Sequence, residues 1–198
     1  MYRQWLTMVV SLFLCAASLT GCGSDVGGGA ALLATSYITA TPSSGIINSD
    51  VATWINYSSG AKSTQWTGWT TTPAADVVNL TVQSSAYTAS SGSNSTAPLP
   101  VRIASATVTF STADSASRAI PTQYQSIGTN IPSAGSVVVP IEMVSQNLKQ
   151  WLGTYLDNTS TYYRYNATIT LNLIEIGTGK TGAVSTALRV NIADYIDK

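Results

Sequence analysis

The chain of 198 residues contains no histidine and only two cysteines, and charged side chains make up just 9% of it. Without histidine, a Ser-His-acid triad has no general base, and the commonest metal ligand and near-neutral pH switch are missing. Nine basic and nine acidic residues cancel. The basic ones form no cluster in sequence, so the electrostatic footprint of a nucleic-acid-binding or polybasic membrane-surface protein is absent. The most apolar stretch, Trp5 to Ala17, is shorter than the roughly 20 residues that a membrane-spanning helix needs.

What is present begins with that stretch. Tyr2-Arg3-Gln4 precedes it, Leu19-Thr20-Gly21-Cys22 follows it, and Gly23-Ser24-Asp25-Val26-Gly27-Gly28-Gly29 comes next. A charged start and a short apolar core describe an export signal. A leucine three places before a cysteine, with small residues between, resembles the cleavage-and-lipidation box of bacterial lipoproteins. The resemblance implies removal of residues 1–21, as a signal peptide, and acylation of Cys22. Cys15 would leave with the leader, and the remaining cysteine would no longer be a thiol. A single acyl chain holds only reversibly, whereas two or three hold a protein in place. Gly23 rather than aspartate after Cys22 favours, by the same resemblance, the outer membrane over the inner. Residues 22–33 then read as a Gly/Ser-rich tether and 34–198 as the folded domain.

Within that domain, apolar and polar residues alternate. Ala34 to Thr41 reads as a strand, and Val51 to Tyr57 as another. Val78, Leu80 and Val82, then Val101 to Phe110, then Val137, Val139, Ile141 and Met143 mark three more, with Pro140 restricting the last to an edge or bulge. Ala113 to Gly135 is weakly patterned, an irregular connection from which Ile120, Tyr124 and Ile127 dip into the core. Tyr163, Tyr165, Ala167, Ile169, Leu171 and Leu173 form the clearest alternation. It breaks at Ile174-Glu175-Ile176, where a bulge would swap the faces. Gly177 to Gly182 turns the chain into a return strand through Val184, Leu188, Val190 and Ile192. One helix is predicted over about 145–156, capped by Ser145, with Leu148, Trp151, Leu152 and Tyr155 as its apolar stripe and Lys149 and Gln150 off it. The expectation is all-β: an antiparallel sandwich that looks like an immunoglobulin-like or fibronectin-like domain, with an eight-stranded barrel as the alternative.

No motif supplies catalytic machinery. Gly-Lys-Thr at 179–181 lacks the glycine five places before Gly179 that a phosphate-binding loop requires, and a strand rather than a helix follows it. A Ser-Lys arrangement would need Lys62, Lys149 or Lys180 buried beside a serine, yet each falls in a turn or on a polar helix face. The acids are scattered and read as solvated charges. Glu142 and Glu175 are the only acids inside predicted strands, a pair useful for glycoside hydrolysis only within about 10 Å of one another. The candidates for binding are aromatic. Trp66 and Trp69, set among threonine and glycine, are the pair expected at the surface, with Tyr57 beside them and Trp54 and Trp151 assigned to the core. No metal or cofactor is expected. The chain reads as a non-enzymatic module, held to the membrane by an N-terminal lipid, that contacts an envelope protein or, alternatively, a glycan.

Overall fold

A computed structural model describes residues 28–51, 74–87, 97–156 and 161–195. Their strands make two sheets. The first contains β1 (Gly29–Leu32), β2 (Ser36–Pro42), β4 (Asp76–Ala86) and β7 (Ser136–Val144), in the order β1-β2-β4-β7. The second contains β3 (Ile46–Asp50), β5 (Val101–Thr112), β6 (Gln123–Ile131), β8 (Tyr162–Glu175) and β9 (Thr181–Ala193), in the order β3-β9-β8-β5-β6. Alternate side chains of each sheet point into one shared core. Val78, Leu80 and Val82 of β4 are buried on one side, and Tyr165, Ile169 and Leu171 of β8 on the other. Two stacked sheets, not a closed barrel, result. All strand pairs are antiparallel except β3 with β9, which run parallel, so the purely antiparallel expectation is corrected at that edge.

Several local expectations are corrected. The tether assigned to residues 22–33 is already in the sheet at Gly29, where β1 pairs with β2. Gly29 sits where β1 meets the backbone of β9: a Cβ there would lie 1.5 Å from the Ser185 carbonyl oxygen. Strand β3 lies ahead of the strand expected from Val51. Val51 itself is buried, and positions 52–57 fall outside the described residues. The supposed irregular connection contains β6, whose inward positions are mostly polar and so hide its periodicity. Tyr124 lies on the opposite side of that strand, 78% exposed, and does not enter the core. In β5 a register shift between Ile103 and Ser105 keeps both Val101, Ile103 and Ala106, Val108 facing inward.

Strand β7 is at the edge of its sheet, as Pro140 requires. Its outer side is not bare. The Gln125 side chain of β6 accepts from Glu142 N at 3.0 Å and donates to Glu142 O at 2.5 Å. Gln123 Nε2 also donates to Met143 O.

Helix α1 (Gln146–Leu156) connects β7 to β8, and Ser145 Oγ accepts the Leu148 N–H at its start. Leu148, Leu152 and Leu156 are buried, each contributing roughly 1.5–3 kcal/mol by leaving water. The expected stripe is rotated, however. Lys149 is only 4% exposed, and its Nζ lies 3.0 Å from Asp76 Oδ1, whereas Trp151 and Tyr155 are each 39% exposed.

At the end of β8 the alternation does not break. Glu175 takes the next inward position after Leu173 and is fully buried, while Ile174 and Ile176 turn outward.

Candidate binding groove beside helix α1

The rotation of α1 builds a groove. Its inward row of leucines and the Lys149–Asp76 pair fix the helix's roll, which drives Trp151 and Tyr155 to the surface. The two rings meet edge to face at 5.7 Å and 78°, one helical turn apart. The Arg118 guanidinium lies 3.7 Å over the Tyr155 ring, a cation–π contact. Arg118 is held in turn from the core, because the Tyr165 hydroxyl donates to its carbonyl at 2.8 Å. Burial pushes the Tyr165 phenol well above its usual range, so it remains a donor. Ile120, buried two residues later, pins the same segment. The result is a continuous wall from Tyr165 through Arg118 and Tyr155 to Trp151.

Between Trp151, the one member of this wall that reaches it, and β6 lies a groove of about 390 Å³ lined by Pro121, Gln123, Ser145, Asn147, Leu148 and Trp151. This is a size typical of small-ligand sites, in which an apolar lining with a few polar groups is the usual composition. No titratable side chain lines it, so its lining offers shape, an indole face and amide hydrogen bonds, but no acid or base.

The carboxylate pair considered from sequence is not assembled. Glu175 is tied to Thr35, next to Ser36, which pairs with Ala86 at one end of β4. Glu142 pairs with Val77 near the other end. Nine residues of strand separate these positions, about 30 Å, far beyond the separation of cooperating carboxyl groups. Glu175 also corrects the reading of the acids as solvated. It accepts from Thr35 N and Oγ1, each at 2.9 Å, and from Thr178 Oγ1 at 2.6 Å. Burial would raise its pKa, but the donors from Thr178, Thr35 and Ser36 outweigh that and hold it at about 2. Lys149 is engaged with Asp76, not placed on a polar helix face. The Gly-Lys-Thr run is the β8–β9 hairpin turn, with Gly177 and Gly179 at φ of 110° and 71° and Glu175 N bonded to Lys180 O at 2.8 Å.

Cys22, Tyr57, Trp66 and Trp69, with Trp54 and Lys62, lie outside the described residues. The tryptophan that the described residues do bring to the surface, Trp151, is one that sequence reasoning placed in the core. A spacing of Leu148, Leu152 and Leu156, sufficient by itself to form an inward stripe, was the available signal. Among the described residues no group of three Cys, Asp or Glu side chains could hold a metal ion. No family model, curated protein or solved structure matches the chain.

Proposed function

We propose that the chain is a lipid-anchored, non-catalytic binding module of the bacterial cell envelope. In this reading it is acylated at Cys22, sorted to the outer membrane, and offers the α1 groove to an envelope protein or glycan. The anchor is supported by the Leu19-Thr20-Gly21-Cys22 box. The binding role is carried by one observation: Trp151 stands exposed in an apolar groove whose wall is fixed from the core through Tyr155, Arg118 and Tyr165. Exposed, rigidly held aromatic residues are the side chains that dominate binding energies. The glycan alternative assigns the contact to Trp66, Trp69 and Tyr57 and rests on the residue types alone.

The test has two parts. Cys22→Ser should release the protein from membranes or block its processing, and normal retention would overturn the anchor. For binding, the Trp151 indole N–H resonance, assigned with Trp151→Phe, should shift when solubilised envelope protein or glycan fractions are added to the full chain. Hydrolysis of ordinary ester, glycoside or peptide substrates at enzymatic rates by the purified protein would overturn the non-catalytic reading.

A further inference from the structure

The outward face of the first sheet is nearly free of charge. Its strands β1, β2, β4 and β7 turn alternate side chains away from the core. Among the described residues of these strands, Glu142 is the one charged side chain on that face. The cross-strand row of Thr41, Thr81 and Val138 runs through its middle. At the β1 edge Leu32 stands directly opposite Tyr37, and both are exposed. The outward face of the second sheet differs, because it carries Arg102, Arg164 and Arg189.

The chain enters the first sheet at the edge that holds Leu32 and Tyr37. A Cβ on Gly28 would lie 3.7 Å from Thr41 Oγ1, a side chain of the outward face, and Gly29 begins β1. Gly29 is seven residue steps from Cys22, a span of at most about 25 Å when fully extended. A domain of this size is roughly 40 Å across. An acyl group on Cys22 would therefore keep the β1 edge close to the lipid surface, and the opposite edge, at β7, could not reach it.

We infer that the outward face of the first sheet lies against the lipid surface, with Leu32 and Tyr37 at headgroup depth. The inference rests on the reading of Cys22 as the anchor and adds which side of the domain the anchor holds down. The length of the tether and its point of entry favour a surface at the β1 edge. Of the two sheet faces that meet there, the uncharged one gives up less hydration on contact, since its hydroxyls and amides find partners among the headgroups. Leu32 supplies apolar area, and the Tyr37 ring has the apolar body and polar tip that suit the membrane–water interface. Two such side chains are too few to hold a free protein on a membrane. A short tether removes that difficulty, because it makes the contact intramolecular at a high effective concentration.

The experiment uses the full chain, produced with its acyl group and reconstituted into phosphatidylcholine vesicles. An acylated Cys22 is no thiol and Cys15 leaves with the leader, so Thr81→Cys or Thr168→Cys supplies a single labelling position. Thr81 is exposed on the first sheet and Thr168 on the second. An environment-sensitive fluorophore at position 81 should shift to the blue and lose most of its quenching by iodide, whereas one at position 168 should stay open to iodide. Leu32→Ser/Tyr37→Ser should restore quenching at position 81 while the chain still floats with the vesicles. A Gly/Ser insert of about 20 residues after Gly23 leaves the folded residues untouched, lengthens the flexible tether and should restore part of it. The inference is overturned if position 81 is quenched as readily as position 168, if position 168 is the shielded one, or if position 81 is shielded only once phosphatidylglycerol is added. A chain that does not float with the vesicles overturns the anchor reading and this inference with it. One that floats with position 81 open to iodide overturns this inference alone.

Discussion

Glu175 Oε1 accepts two hydrogen bonds from Thr35, one from its backbone N–H and one from its hydroxyl, both at 2.9 Å. Those residues are 140 positions apart, and they join the β1–β2 turn to the β8–β9 turn. Because the other oxygen is taken by Thr178, the buried carboxylate has all its partners within the protein.

Stability should therefore fall in acid through this residue. Its pKa is depressed in the folded state, about 2 against an ordinary 4.5. The stabilisation is thus fully present above pH 4.5 and disappears as pH falls towards 2. A shift of this size corresponds to about 3 kcal/mol. Glu175→Gln should cost on the order of 2 kcal/mol at neutral pH and flatten the decline of melting temperature between those pH values. A variant with the wild-type acid limb would show that other carboxylates govern it.

The Lys149–Asp76 pair predicts an asymmetry. Asp76→Asn leaves a buried ammonium without its counter-charge and should cost about 3 kcal/mol in urea unfolding, whereas Lys149→Met should cost less. The Asp76 side chain is 25% exposed against 5% for Lys149, so the lysine is the partner whose unpaired charge costs more. The double variant Lys149→Met/Asp76→Asn should recover part of the loss.

Gly29 and Gly128 are predicted to behave differently when a methyl group is added. Gly29→Ala drives Cβ into the Ser185 carbonyl and should detach β1, seen as faster amide exchange in Ala30–Leu32 while the core of β8 stays protected. Gly128→Ala meets no atom within 4 Å but stands at φ +73°, so it should cost only about 1–2 kcal/mol, with no change in exchange pattern.

Tyr165→Phe removes the hydroxyl that holds the Arg118 carbonyl. It should cost about 1 kcal/mol and, more tellingly, shift the Trp151 indole resonance without touching that ring. An unmoved resonance would mean that the wall of the α1 groove is not set from the core.

The strands that were legible in sequence are those whose inward rows are mostly apolar: β4, β7, and β8 with β9. They fixed the two-sheet class and the helix between β7 and β8. What escaped was set by polar residues in inward positions. Strand β6 carries Gln123, Gln125 and Thr129 on its inner side, so no hydrophobic period announces it. Glu175 looked like a phase break because a buried carboxylate is tolerated only where donors such as the Thr35 and Thr178 hydroxyls and the Thr35 amide converge, and no spacing reveals that convergence. The α1 groove was hidden for a related reason. Lys149 reads as solvent-facing until Asp76, 73 residues away, supplies its counter-charge and turns Trp151 outward.

The amide of Gln125 has a wider meaning for how copies of this protein meet. Glu142 spends both backbone groups on that one side chain, so positions of its parity point away from β4. Pro140 shares the parity and has no N–H to give. A stray extended chain approaching β7 thus finds one site occupied and the next without a donor, and cannot zip onto the sheet. At high crowding this edge should resist the edge-to-edge aggregation to which sandwich folds are exposed, protected by a glutamine standing in for a strand.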